Sequence, residues 1–188
     1  MVQAWKLDES KDSPPSSPRQ RKPNEPVDVK SLEKLGIYHQ KLELSTPSVR
    51  HFKEDPTLAE YYTENGYTQS DILTVSREGL QNYEETLKSF YKEHFHPDDE
   101  SRYILEGSGY FDVRNDRDEW IRLRVQKGDL ITIPAGMYHR FALDEERNYL
   151  KSVRMFVSDA IWTPLYRPNE DHFSRQGYLK KYSIPLCA

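Results

Sequence analysis

The chain has 188 residues, 36% of them hydrophobic and 31% charged, with a formal net charge of −4. That length suits one domain with a tail, and the charge gives no broad electrostatic case for nucleic-acid binding. No apolar run approaches the ~18 residues of a membrane helix, and the opening Met1–Lys6 leads into acids and prolines, unlike a signal peptide.

The only cysteine, Cys187, forms no intrachain disulfide, makes no cysteine-rich zinc site and is a poor nucleophile at a frayed end. A reducing, cytoplasmic setting is expected. Met1–Leu7 is apolar enough to dock as an edge strand. Residues 8–26 hold five of the 12 prolines, four serines and no aromatic ring. Such a stretch cannot bury enough surface to offset its ordering entropy and reads as a flexible connection. Within it, Arg19-Gln20-Arg21-Lys22 reads as a solvated basic loop; a nuclear-import signal, and so nuclear residence, is the alternative.

Asp28 is placed to cap a short helix stopped by Gly36. Tyr38, Gln40, Leu42 and Leu44 alternate as in a strand. Asp55-Pro56 reads as N-cap and first helical residue of a helix running to Gly66. Asp71–Val75 suggests a further helical turn, and Tyr83, Leu87, Phe90 and Tyr91 have helical spacing within 82–92. The first half is therefore expected to be mostly helical.

After residue 93 the pattern becomes one of short strands: Arg102–Glu106, Tyr110–Arg114, Trp120–Val125, Leu130–Ile133, Tyr138–Leu143 and Tyr149–Val157. Gly107-Ser108-Gly109 is expected to end the first of them. Six strands linked by Gly- and Asp-bearing turns indicate a β-sandwich or barrel. The expected organisation is an N-terminal segment over 1–27, one domain over 28–180 and a tail over 181–188.

Two of the six histidines lie in Glu93-His94-Phe95-His96-Pro97-Asp98-Asp99-Glu100. On an extended backbone His94 and His96 face one side. The turn after them can return Glu100 as a third ligand, and His139 can supply a fourth from a later strand. Three imidazoles and a carboxylate suit Fe(II), Ni(II), Co(II) or Mn(II) better than Ca(II). Four ligands in an octahedral sphere leave two positions open, which favours a catalytic over a structural metal. An isolated His-x-His pair usually means little; the spacing of the whole set gives it weight. His39, His51 and His172 lack any partner pattern and read as structural or surface residues.

The pattern runs His94-x-His96, three residues, Glu100, six residues, Gly107, and then Gly128, five residues, Pro134-x-Gly136, two residues, His139. It resembles the two motifs of the cupin superfamily, small jelly-roll β-barrels. Lys88 and Leu143 stand where that pattern usually has Gly and Asn; neither is a ligand position. The flanks resemble the acireductone dioxygenase family: Glu100-x-Arg102-Tyr103-Ile104-Leu105, the block Pro134–Phe141, and Val153–Val157 with Trp162-Thr163. The resemblance spans roughly residues 28–173. It implies a mainly β cupin-type jelly-roll barrel with short helices in the N-terminal half.

The resemblance further implies a methionine-salvage enzyme cleaving 1,2-dihydroxy-3-keto-5-methylthiopentene with O2. Fe(II) would give 2-keto-4-methylthiobutanoate and formate; Ni(II) would give 3-methylthiopropanoate, carbon monoxide and formate. Carried over by position, His94, His96, Glu100 and His139 are the expected ligands of one metal ion per chain. Arg102 and Arg154 are expected catalytic residues that offset negative charge. Phe90 and Phe141 are expected to wall the methylthio tail, with ordinary core as the alternative. Asp98 or Asp99 either orients an imidazole or simply turns the chain. A monomer with no nucleic-acid partner is expected. The competing readings are a cupin isomerase or oxygenase for another small enediol or thiol, and a non-enzymatic partner-binding module.

Overall fold

The structure, a computed structural model, describes residues 3–10, 12–44, 55–157 and 163–185. His51, Trp162 and Cys187 lie outside them. Among the described residues no helix is long and apolar enough to cross a membrane.

Local chemistry sets the helix ends. Helix α1 (Val29–Lys34) is capped by Asp28, whose Oδ1 accepts from Ser31 N at 2.7 Å. Helix α2 (Pro56–Glu64) starts at proline behind Asp55, whose carboxylate accepts from Thr57 N and Leu58 N. Helix α3 (Tyr83–Tyr91) carries Glu84 and Glu85 in its first turn, where the helix dipole favours them. Helix α4 (Phe173–Tyr182) was not anticipated. It spans the boundary expected at residue 180, and its apolar pattern is too sparse to read from sequence: Tyr178 and Leu179 are its buried hydrophobics.

Among the described residues ten strands form the mainly β jelly-roll barrel that the sequence indicated: β1 (Gln3–Lys6), β2 (Tyr38–Lys41), β3 (Gln69–Val75), β4 (His94–Phe95), β5 (Glu100–Arg114), β6 (Trp120–Gln126), β7 (Asp129–Ile133), β8 (His139–Leu143), β9 (Leu150–Phe156) and β10 (Leu165–Tyr166). One face runs β1-β6-β5-β8-β4-β10 and the other β2-β7-β5-β9-β3, all antiparallel. Strand β5 belongs to both. Residues 100–107 pair with β7 and β9, and residues 108–114 with β6 and β8.

Two expectations are corrected. The strands expected at 102–106 and 110–114 are one strand, because Gly107 bends the chain instead of ending it. Gly107 sits at φ +78°, and a Cβ there would lie 1.9 Å from the Tyr149 carbonyl oxygen. The helical turn expected over Asp71–Val75 is strand β3, paired along its length with β9. Ile72, Thr74 and Val75 are β-branched and favour the pleated surface. The first half thus mixes helix and strand.

Alternation along β5 divides the core. Ile104 and Phe111 join the inner cluster with Leu123, Ile131 and Ile133. Tyr103 and Leu105 point outward, into a second cluster with Leu58 of α2, Leu130 and Met155.

The Ser/Pro-rich stretch, read above as a flexible connection, makes specific contacts. Strand β1 pairs with β6, and Trp5 Nε1 donates to Pro18 O at 2.9 Å. Arg122 Nη1 donates to Pro15 O at 2.9 Å and also to Ser17 O. Arg19 reaches Tyr91 Oη at 2.8 Å, and Arg21 pairs with Glu25 at 3.2 Å. Within the basic cluster Gln20 and Lys22 are exposed, as a solvated loop requires, while Arg19 and Arg21 are half-buried against these partners.

Candidate metal centre

The inward side of this barrel holds a cavity of about 130 Å³. All eight residues singled out from sequence line it: Phe90, His94, His96, Glu100, Arg102, His139, Phe141 and Arg154. Leu73, Val75, Ser89, Phe111, Leu150 and Pro164 complete the wall and were missed. Leu73 and Val75 lie on strand β3, which the helical reading of 71–75 missed; the β-branched Ile72, Thr74 and Val75 were the local signal available.

Pairing brings the histidines together. His94 on β4 stands opposite His139 on β8, and His96 follows two residues on. The bend Pro134-Ala135-Gly136 precedes His139. Gly136 has φ +79°, and a Cβ there would meet the Ser174 carbonyl oxygen at 2.2 Å, so α4 packs directly on the bend. One ring nitrogen from each of His94, His96 and His139 falls within 4.8 Å of the others. Glu100 Oε2 lies 2.9 Å from His139 Nε2 and 3.8 Å from His96 Nε2.

The second ring nitrogens fix the tautomers. His94 Nδ1 lies 2.6 Å from Lys92 O, and His139 Nδ1 lies 2.8 Å from Met137 O. A carbonyl only accepts, so each Nδ1 carries the proton and each Nε2 presents a lone pair. Backbone carbonyls, not Asp98 or Asp99, therefore orient these imidazoles. Asp99 Oδ1 accepts from Ala135 N at 2.8 Å and ties the two ligand loops together.

Burial pushes His94 down to about 3, with the neighbouring His139 adding to the effect. Burial also pushes His96 down to about 4 against the pull of Glu100. Both are neutral at physiological pH, as ligation requires. Burial alone would raise Glu100. The Arg102 guanidinium, which donates to Oε1, leads the opposing effects, and the carboxyl is held well below the usual range. Arg102 thus occupies one carboxylate oxygen while the other faces the imidazoles.

On the neighbouring strand, beside Arg102, Arg154 Nε donates to Asp71 Oδ1 at 2.7 Å. The Phe90 and Phe141 rings meet edge to face with centroids 6.5 Å apart. The remaining described histidines have structural partners: His39 lies 3.2 Å from Asp129, and His172 accepts from Ser174 N at the start of α4. Tyr138 is packed inside, its hydroxyl accepting from Asn169 N.

Residues 3–164 match the model of the ARD/ARD′ family. The acireductone dioxygenase of Xenopus tropicalis is 48% identical over 180 residues, covering 96% of this chain and 97% of its own. That of Homo sapiens is 45% identical over 182 residues, covering 97% of each. A solved structure described as acireductone dioxygenase from Bacillus anthracis with cadmium ion in active center superposes with a TM-score of 0.68 at 25% identity, covering 88% of this chain and 98% of that one.

Proposed function

The chain belongs to the ARD/ARD′ family, and from that membership we propose a metal-dependent cleavage of 1,2-dihydroxy-3-keto-5-methylthiopentene by O2, giving 2-keto-4-methylthiobutanoate and formate with Fe(II) and 3-methylthiopropanoate, carbon monoxide and formate with Ni(II). The chain is a dioxygenase of the kind its relatives are named for. The choice of metal, the products and the residue roles are our reading.

The donor set fits such an ion. His139 Nε2 is buried and, although 2.9 Å from Glu100 Oε2, lacks hydrogen-bond geometry to it. Three imidazole nitrogens then converge beside the inner carboxylate oxygen of Glu100. His94, His96, Glu100 and His139 would hold one Fe(II) or Ni(II). The ion would supply Lewis acidity and a template for an enediol bound through two oxygens.

The rest falls to the protein. Arg102 holds the outer oxygen of Glu100 and so fixes the direction of the inner one. Its charge offsets negative charge gathering on the enediolate as it meets O2, while Arg154 helps to hold the guest. Phe90 and Phe141 wall the methylthio end, where sulfur–aromatic contact is worth about 1 kcal/mol. The Leu73, Val75 and Leu150 side chains exclude water from the reacting carbons. We take the working unit to be a monomer.

The observation that carries this reading is the convergence of the three imidazole nitrogens beside Glu100. Metal analysis of the purified protein, then oxygen uptake with the enediol after separate loading with Fe(II) and Ni(II), tests it. Formate is expected with both metals and carbon monoxide with Ni(II) alone. Loaded protein that consumes no oxygen with this substrate would overturn it.

A further inference from the structure

The two cavity arginines do not stand alone. Strand register sets Arg102 on β5 opposite Arg154 on β9, and Arg154 opposite Asp71 on β3. Like charges directly opposite across a sheet repel. Here each guanidinium has its own carboxylate, Arg102 that of Glu100 and Arg154 that of Asp71. The two carboxylates differ in setting. The Glu100 side chain is 3% exposed and belongs to the metal centre, whereas that of Asp71 is 45% exposed, at the cavity rim. Asp71 takes Arg154 through Nε and Nη2, one to each carboxylate oxygen. This fork has a single planar geometry. Asp71 also precedes Leu73 and Val75 on the cavity-facing side of β3, so the pair lies in line with the apolar wall. The result is a fixed dipole, with its positive end lining the cavity and its negative end toward solvent.

We propose that Asp71 is a positioning residue: it holds the Arg154 guanidinium in the cavity lining beside Arg102, turned to an oxygen of an anionic guest. The guest class is a small enediolate or carboxylate. Arg side chains carry about 2 kcal/mol of rotamer entropy, so an Arg154 not tethered in this way samples many directions and meets the guest less often. Loss of the tether weakens guest capture and leaves the chemistry at the metal centre unchanged. The inference rests on the proposed function only in taking the guest to be anionic.

The test compares the metal-loaded wild type with Asp71→Asn and Asp71→Glu. Binding of 2-keto-4-methylthiobutanoate, a carboxylate, is measured by calorimetry, with oxygen-uptake kinetics alongside. For Asp71→Asn the carboxylate Kd and the substrate KM are expected to rise about 3- to 10-fold, with kcat within about 2-fold and an unchanged melting temperature. Asp71→Glu, which keeps the charge, is expected to recover most of the loss. Equal or tighter carboxylate binding by Asp71→Asn overturns the inference, as does no binding by the wild type. A wild type that binds the carboxylate but never consumes oxygen counts against the proposed function alone; the Asp71→Asn binding result still decides this inference.

Discussion

Replacing Asp112 by Asn removes the anion from the most deeply buried charge cluster of the barrel. Asp112 is 1% exposed and Arg122 is fully buried. The carboxylate accepts from Arg122 Nε at 2.7 Å, Arg122 Nη2 at 3.0 Å and Arg140 Nε at 2.8 Å. After the substitution Arg122 keeps two backbone carbonyl partners and the Tyr110 ring at 4.8 Å, none of which carries a compensating charge. Leaving one member of a buried pair uncompensated costs about 3–5 kcal/mol. Total stabilities are about 5–15 kcal/mol, and a chain of this size loses about 2–4 °C per kcal/mol. The melting temperature, followed by circular dichroism, should therefore fall by roughly 6–20 °C. The double variant Asp112→Asn with Arg122→Met should recover part of the loss, because the stranded cation is gone. A fall of less than about 2 °C for Asp112→Asn, or no recovery in the double variant, would refute the claim that this carboxylate neutralises a buried cation.

Other outcomes follow from the same contacts. Arg122→Met should release Pro15 and Ser17, so that limited proteolysis cuts residues 12–24 faster than in the wild type. Arg102→Met frees the outer oxygen of Glu100, and metal affinity in chelator competition should drop about 10- to 100-fold. Phe141→Ala opens the wall around the methylthio tail; KM should rise about 10-fold with a smaller change in kcat. Between the depressed values of His94 and His96, about 3 and about 4, and the ordinary 6.5, the unfolded chain binds protons that the folded chain refuses. Stability of the metal-free protein is thus fully present above pH 6.5 and is lost progressively as pH falls from 6.5 to about 4 for His96 and about 3 for His94, by up to about 1.4 kcal/mol per pH unit per histidine. Urea midpoints across that window check this, and His94→Gln with His96→Gln should flatten the slope.

What was legible in the chain depended on whether the governing interaction was local. Asp28 and Asp55 cap the helices that follow them because N-capping is decided within three residues. The β character of the chain after residue 93 was legible because turns and alternation are short-range signals, although the segments 102–106 and 110–114 proved to be one strand. The four candidate ligands were legible through motif spacing, which reflects the pairing of β4 with β8, and Arg102, Arg154, Phe90 and Phe141 through the family resemblance. Non-local decisions were hidden. Strand β3 exists because β9 supplies its hydrogen bonds, and nothing within 69–75 announces that partner. The backbone carbonyls of Lys92 and Met137 that orient two imidazoles have no side-chain signature at all. The docking of the Ser/Pro-rich stretch was also illegible, since its anchor is a buried arginine about a hundred residues further on, and composition speaks only of the surface that a segment itself brings.

The continuity of β5 explains why one cavity can be furnished from both faces of the barrel. Before the bend at Gly107 its inward row is Glu100, Arg102 and Ile104; beyond it Phe111 turns into the same cavity from the other face. A slip of one residue would turn this row outward and bring Ser101, Tyr103 and Leu105 inside. The second core cluster opposes that slip. Tyr103 and Leu105 are held beneath Leu58 of α2, and Tyr103 Oη donates to Leu42 O at 3.2 Å. Ser101 accepts from Thr132, which is in turn within 2.8 Å of the Tyr61 hydroxyl on α2. The outward half of the strand therefore specifies the inward half. Helix α2 touches none of the four candidate ligands, yet it carries the contacts that keep Glu100 and Arg102 facing the imidazoles.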